Sequence, residues 1–219
     1  MRLRITFSKS GPLTYTSHLD LMRVWERALR RAGLPLAYSG GFNPRAKLQL
    51  AAALPLGHTG EAEVLDVWLE AGAGERGRGG EEGVAEALAA VLPDGLQVRQ
   101  VRRVDEKEPA LPTQVTAAEY LVTVEWGEPA DEVEARIERL LAAAELPQER
   151  RGRRYDLRPL IERLWLEWAG EGKIVLGMQL AAREGATARP EAVLEVLGMG
   201  GAFARFHRLR LLTVECSRL

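Results

Sequence analysis

The order of hydrophobic patterns along this 219-residue chain is the feature that most limits its fold. An alternating segment at 3–7 predicts a strand, and apolar residues at helical spacing from 21 to 29 predict a helix. Ser17 is the predicted cap of that helix, with Asp20 completing a capping box. The other elements predicted in this half are strands at 48–54, 65–69 and 96–101, a glycine-rich tract at 72–80 and a helix at 81–92.

The same order of elements is predicted a second time. The stretch 105–118 is polar and contains Pro109 and Pro112, so we predict a linker there. The elements predicted after it are strands at 120–124, 161–168, 174–180 and 209–213 and helices at 131–144 and 190–197. Two β-α-β-β-α-β series in tandem are typical of the split βαβ arrangement called ferredoxin-like. We therefore predict an α+β protein with two tandem ferredoxin-like units, residues 1–104 and 119–219.

Charged residues are unevenly distributed, although the formal net charge is only −1. Residues 1–60 contain nine Lys or Arg against two Asp or Glu, residues 61–149 contain eight against twenty-one, and residues 150–219 contain thirteen against eight. Each segment can present its own charged surface, so the low net charge does not exclude a nucleic-acid partner. Most of the cations are arginine, whose planar fork suits phosphate.

A loop between the first predicted helix and the next strand combines glycine, aromatic and basic residues. Its adjacent glycines allow close approach of a partner, its cations can contact phosphate, and its aromatic rings can stack on the bases of single-stranded RNA. An ordinary helix-to-strand turn with a buried Phe42 is the alternative. The residues predicted to bind a nucleic acid or a partner here are Tyr38, Gly40, Gly41, Phe42, Asn43, Arg45 and Lys47.

A second basic segment, residues 150–159, has the equivalent position in the second series and is predicted to be a loop. Two basic loops with aromatic residues could flank one groove for RNA. A solvated loop in which Asp156 pairs with Arg158, or a surface for an acidic protein, are the alternatives. The residues predicted to bind phosphate or a partner are Arg153, Arg154, Tyr155, Asp156 and Arg158.

No pattern for a metal, a cofactor or a membrane segment is present in the sequence. The histidines His18, His58 and His207 lack metal-ligand spacing, and the glycine patterns of nucleotide-binding loops are missing. The longest apolar stretch, residues 50–56, is far shorter than the about 20 residues of a spanning helix. We therefore expect no cofactor, no membrane partner and a cytoplasmic location. Cys216 is predicted to be inert.

The segment from Ser17 to Lys47 resembles the signature of the radical SAM-linked proteins, a bacterial domain of unknown function. Shorter matches are Pro55-Leu-Gly57, Asp156-Leu-Arg-Pro159 and Arg205-Phe-His-Arg208, so the resemblance covers nearly the whole chain. Members of that family occur beside, or fused behind, a radical SAM protein with a cobalamin-binding-like region. They also tend to lie near genes for an RNase E/G-type ribonuclease and for ribosomal proteins.

The resemblance implies a context rather than a reaction. A radical SAM enzyme needs three cysteines for its cluster, and this chain has one. We therefore predict a non-catalytic accessory module that binds or positions a tRNA, rRNA or ribonucleoprotein substrate for a radical SAM protein encoded nearby. Arg23 and Arg27 of the first predicted helix would add phosphate contacts.

Two alternative functions remain open. The tandem ferredoxin-like prediction and His18 in the first helix resemble, more remotely, the CRISPR repeat-processing endonucleases of the RAMP superfamily, which cut RNA without metal. His18 would then be the acid or base, since a helix start favours a neutral imidazole. Otherwise His18 packs or hydrogen-bonds locally. The second alternative is a protein-binding adaptor that uses the acidic segment 61–149 and no nucleic acid.

Overall fold

A computed structural model describes residues 1–70 and 80–214, and it divides into two units, Met1–Gln114 and Val115–Leu219. The strand pairs within each unit are antiparallel, and a few helices accompany them. This arrangement confirms the predicted α+β class. Cys216 and residues 72–79 of the predicted glycine-rich tract lie outside the described residues.

The first unit places β1 and β3 at the centre of a four-stranded arrangement. Its elements are β1 (Arg2–Lys9), α1 (His18–Arg31), β2 (Leu48–Leu50), β3 (His58–Trp68), α2 (Gly80–Ala89), β4 (Leu96–Val104) and α3 (Leu111–Gln114). Since β1 pairs with β3 and β4, and β2 pairs with β3, the strand order is β4-β1-β3-β2. Ile5 lies opposite Leu65 on one side and Val101 on the other.

The core of the first unit forms where α1 and α2 pack on one face of these strands. Trp25 of α1 is fully buried and meets Phe7 of β1 edge-on, with ring centroids 4.8 Å apart. Leu88 contributes from α2. The structure confirms that Ser17 caps α1, because its hydroxyl oxygen accepts the backbone N–H of Asp20 at 3.2 Å.

The opposite face of β1 carries buried charges. Arg2 and Arg4 are only 2% and 6% exposed, and both donate hydrogen bonds to the carboxylate of Asp66, which is 0% exposed. The guanidinium of Arg2 also donates to the backbone carbonyls of Glu108 and Pro109. The chain after β4 therefore covers this face of the first unit.

The stretch predicted as a linker, residues 105–118, contains a short helix and the start of a strand. Its first part covers Arg2 and ends in α3, where Leu111 is buried. Its second part begins β5 (Val115–Glu125), and Ala117 pairs there with Ala181 and Leu212 of two other strands of the second unit. The polar and proline-rich composition therefore belongs to a segment that packs over Arg2 of the first unit.

Two strands of the first unit differ in length from their predictions. The segment predicted at 48–54 forms a strand only over β2, because the chain bends after Leu50 toward the turn at Pro55. In contrast, β3 begins at His58, seven residues before the predicted start at 65. Glu61 and Glu63 interrupt its apolar pattern, although their backbone still belongs to the strand.

The second unit repeats the strand order of the first. Its elements after β5 are α4 (Ala130–Ala142), β6 (Pro147–Arg150), β7 (Arg153–Asp156), β8 (Ile161–Gly170), β9 (Lys173–Arg183), β10 (Ala186–Thr187), α5 (Pro190–Val196) and β11 (Ala204–Thr213). The pairing gives the order β11-β5-β9-β8, with β10 forming a short hairpin with β9. Val133 and Ile137 of α4 and Val193 of α5 are buried in its core.

The arginine-rich segment predicted to be a loop is a β-hairpin made of β6 and β7. Its turn residues, Arg151 and Gly152, have φ angles of +51° and +74°. Positive φ at both turn positions is typical of two-residue hairpin turns, because it matches the twist of the flanking strands. The prediction was wrong here because the strands consist of polar residues without an apolar alternation.

In the part of the chain that the structure describes, every helix is too short or too polar to cross a membrane.

Candidate nucleic-acid interface

The segment at residues 38–47, here called the glycine loop, is held at its base by backbone hydrogen bonds. The amide of Ser39 donates to the carbonyl of Arg45 at 2.8 Å, and the amide of Lys47 donates to the carbonyl of Ala37 at 2.8 Å. The amide of Arg45 donates in turn to the hydroxyl of Ser39 at 3.0 Å. The glycine loop therefore has a bonded stem and a free tip at residues 40–44.

The tip of the glycine loop presents an aromatic ring to solvent. Phe42 is 107% exposed, and Tyr38 at the stem is 40% exposed. A Cβ built on Gly40 or Gly41 meets no atom within 4 Å, while the φ of +111° at Gly41 favours glycine there. The alternative expectation that Phe42 is buried is wrong.

The cations of the glycine loop have no counter-ion among the described residues. Arg45 and Lys47 are exposed, and their side chains form no ion pair or hydrogen bond with any residue in 1–70 or 80–214. Asn43 is exposed beside them. The loop thus combines an exposed ring with unpaired positive charge, which suits a stacked base and its neighbouring phosphates.

The exposed face of α1 carries a row of arginines. Arg23, Arg27, Arg30 and Arg31 follow the spacing i, i+4, i+7 and i+8, which places them on one side of the helix. Arg23 is paired with Asp20 at 2.9 Å. Arg27 has no ion-pair partner among the described residues, and it lines a groove together with Arg31.

Asp20 at the start of α1 is held in its charged form. The Ser17 hydroxyl donates to Asp20 Oδ2 at 2.7 Å, and the Arg23 guanidinium donates to Oδ1 at 2.9 Å. These hydrogen bonds lower the pKa of Asp20 below its ordinary value of 3.8, and the one from Ser17 has the largest effect. His18 is the first residue of α1, and within the described ranges its exposed imidazole forms no hydrogen bond.

In the second unit, the β6–β7 hairpin separates arginines that are neighbours in the sequence. Arg150 lies directly opposite Arg153, and Glu149 lies directly opposite Arg154. Because side chains alternate between the two faces of a strand, Arg153 and Tyr155 project from the same face as Arg150, and Arg154 projects from the other. The arginines predicted as one cluster are therefore divided between two surfaces.

Asp156 and Arg158 are bonded to the backbone around the hairpin. Asp156 Oδ1 accepts the amides of Leu146 at 2.7 Å and Arg158 at 2.9 Å. The guanidinium of Arg158 donates to the carbonyls of Leu141 at 3.0 Å and Ile161 at 3.1 Å. The predicted pairing of Asp156 with Arg158 thus uses a backbone amide, and both side chains hold the hairpin in position.

A cavity of about 490 Å³ lies beside the hairpin. Arg150 lines this cavity, but it is not among the predicted site residues. Which arginines share a face depends on the register of the hairpin, and the sequence alone does not show that register. A predicted hairpin with a two-residue turn would have placed Arg150 opposite Arg153 and so identified it as a site residue. The residues that line the cavity include Arg150, Arg153, Tyr155, Asp156, Leu160 and Thr187.

Residues 2–190 match the model of a family described as "Uncharacterized protein conserved in bacteria (DUF2344)". The chain belongs to the DUF2344 family. The matched range contains both the glycine loop and the β6–β7 hairpin, so both candidate surfaces lie in the family region. Among curated proteins, a search with this DUF2344 sequence finds no match.

Solved structures share the fold of this DUF2344 chain at low sequence identity. A chain of a Cbf5-Nop10-Gar1 complex is similar with a TM-score of 0.53 and 12% identity, over 95% of this chain and 48% of that one. A chain of an H/ACA RNP bound to a substrate RNA containing 2′-deoxyuridine is similar with a TM-score of 0.50 and 12% identity, over 95% and 47%. The DUF2344 chain therefore spans about half the length of these chains.

Proposed function

We propose that this protein is a non-catalytic accessory module that binds single-stranded RNA through the glycine loop. In this proposal it positions a tRNA, rRNA or ribonucleoprotein substrate for a separate radical SAM enzyme in the cytoplasm. Phe42 carries the proposal, because its ring is wholly exposed at the tip of a bonded loop that also holds two unpaired cations.

The chemistry of the glycine loop fits RNA in three ways. A base stacked on an aromatic side chain contributes about 1–3 kcal/mol and tolerates any sequence. Arg45 and Lys47 stand free to neutralise phosphates on either side of that base. The hydrogen-bonded stem is already formed, so binding orders only the tip and loses little conformational entropy.

Arginines outside the loop extend the proposed contact surface. Arg27 has no counter-ion among the described residues, whereas Arg23 would exchange Asp20 for a phosphate. Arg153 and Arg154 stay proposed contacts, one on each face of the hairpin. Asp156 and Arg158 support these contacts by holding the hairpin, since their polar groups are bonded to the backbone.

The comparisons support parts of the proposal to different degrees. The likeness to a chain of an RNP bound to a substrate RNA supports an RNA partner. The repeated strand orders β4-β1-β3-β2 and β11-β5-β9-β8 support two ferredoxin-like units. The radical SAM partner rests on the sequence resemblance at 17–47 and on the need for cysteines from another chain.

Titration of fluorescently labelled single-stranded RNA at several salt concentrations tests the RNA contact. We expect Phe42→Ala to weaken binding by about 1–3 kcal/mol at every salt concentration, because it removes stacking. We expect the double variant Arg45→Ala/Lys47→Ala to reduce the slope of log K against log salt by about 1.4, since each lost phosphate contact removes about 0.7 on single strands.

Arg99→Ala is the matched control, because Arg99 is a surface arginine of the same unit whose guanidinium is already paired with Glu61 at 2.7 Å. Its RNA affinity and salt slope should equal those of the wild type. The RNA contact is refuted if Phe42→Ala and the double variant bind RNA as tightly as Arg99→Ala does.

Two further measurements address the partner and the absence of catalysis. Co-purification with the radical SAM protein encoded nearby should yield a complex at micromolar concentration, and separate elution of the two proteins contradicts the partnership. RNA incubated in EDTA should stay intact. Cleavage that disappears in His18→Ala would instead identify a metal-independent endonuclease.

A further inference from the structure

The cavity beside the β6–β7 hairpin contains two arginines that face each other. Arg150 and Arg153 occupy directly opposed positions, where like charges destabilise a strand pair. Neither guanidinium forms an ion pair with a carboxylate of the described residues. An anion placed between the two side chains would relieve their repulsion, so the hairpin favours binding of an anionic group at this end of the cavity.

An aromatic wall borders these cations. Tyr155 lies two residues from Arg153 on the same strand face, is half-buried and packs against the core of the second unit. Its ring is thus held in place on one side and lines the cavity on the other. A planar ring in the ligand can stack on such a fixed surface without ordering a mobile side chain.

A carboxylate lies at the other end of β7. Asp156 is three residues from Arg153, which corresponds to about 10 Å along a strand. Two backbone amides fix its Oδ1, at 2.7 and 2.9 Å, so the carboxylate cannot turn away to pair with the arginines. Because side chains alternate along β7, Asp156 projects from the face of Arg154, and the face of Arg150, Arg153 and Tyr155 accepts negative charge near the turn.

We infer that this cavity binds one nucleotide through its terminal 5′-phosphate. The phosphate lies between Arg150 and Arg153, and the planar base stacks on Tyr155. A volume of about 490 Å³ holds a ligand of this size. A free mononucleotide and the 5′-phosphorylated end of an RNA present the same chemistry, and the site needs nothing from the glycine loop.

Isothermal titration of the full chain tests the assignment with AMP, UMP, ribose 5-phosphate, adenosine and inorganic phosphate. We expect AMP and UMP to bind more tightly than ribose 5-phosphate or phosphate, and adenosine to bind weakly. Arg150→Ala and Arg153→Ala should each raise the Kd for AMP about tenfold or more, because each removes charge-assisted hydrogen bonds. Arg154→Ala, which changes the opposite face of the same hairpin, should leave the Kd unchanged.

The free protein provides a check that these variants fold. Since either substitution removes the repulsion between opposed arginines, the melting temperature without ligand should stay constant or rise. AMP should raise the melting temperature of the wild type and of Arg154→Ala more than that of Arg150→Ala or Arg153→Ala. Arg45→Ala/Lys47→Ala should keep full AMP binding, so failure of the glycine-loop proposal leaves this inference intact.

A pair of RNA oligomers with and without a 5′-phosphate distinguishes the two sources of the ligand. Tighter binding of the phosphorylated oligomer that depends on Arg153 supports the RNA end, and AMP binding without this preference supports the free nucleotide. The inference is overturned if AMP does not bind at millimolar concentration, if phosphate alone binds as well as AMP, or if Arg154→Ala loses as much affinity as Arg153→Ala.

Discussion

Among single residues, Asp66 is the carboxylate that joins the two buried arginines of the first unit. It is fully buried and accepts hydrogen bonds from the guanidinium groups of Arg2 and Arg4. Glu108 lies 3.7 Å from Arg4 and adds a second negative charge beside the two cations. Because charges away from water need such partners, the four side chains are stable only together.

We predict that Asp66→Asn lowers the free energy of unfolding by about 3–5 kcal/mol, because it leaves two buried guanidinium groups without their central carboxylate. Urea denaturation monitored by circular dichroism measures this loss. Glu61→Gln, which breaks the exposed pair with Arg99, is the control and should cost about 1 kcal/mol or less. Equal losses in the two variants would contradict a special role for Asp66.

At the scale of elements, α1 illustrates a segment whose sequence pattern and structure agree. Leu21, Trp25 and Leu29 form its buried stripe, and Ser17 caps it. These features depend on residues within about four positions of one another, so the sequence reveals them directly. The β6–β7 hairpin is the opposite case, because its polar strands are held by a turn with two positive φ angles and by Asp156.

We predict that Ser17→Ala raises the pKa of Asp20 toward 3.8, because it removes the hydrogen bond that lowers this pKa most. Since the folded pKa is depressed, the stabilisation by charged Asp20 is present at neutral pH and is lost as the pH falls through that pKa. NMR titration of the Asp20 carboxyl carbon shift between about pH 2 and pH 6 measures the change. This range extends about two pH units to each side of the ordinary pKa of an aspartate. An unaltered titration of Asp20 in the variant would contradict the assignment.

At the scale of the whole molecule, each unit has its own core and the same strand order. The boundary lies inside the stretch predicted as a linker, between α3 and β5. Composition favours a linker there because Pro109, Pro112 and several polar residues occur together. The stretch is ordered because its backbone carbonyls accept hydrogen bonds from the buried Arg2 and its next residues pair with β9 of the second unit.

We predict that the amides of Ala117 and Ala118 exchange with solvent as slowly as the centre of β5, since this strand is paired on both sides there. Hydrogen exchange followed by mass spectrometry on peptides covering 111–125 measures the protection. The exposed turn at 105–107 should exchange quickly and serves as the internal reference. Fast exchange through residue 118 would restore the linker interpretation.

Local patterns in the sequence are enough to predict the α+β class, most elements and many apolar core residues, because burial of one face depends on a local period of two or 3.6 residues. The sequence also singled out the glycine loop. The exposure of Phe42, the burial of Arg2 and Arg4 and the shared face of Arg150 and Arg153 become visible only in the folded chain. Those outcomes depend on strand register and on partners as distant as the 64 positions between Arg2 and Asp66, which no local pattern contains.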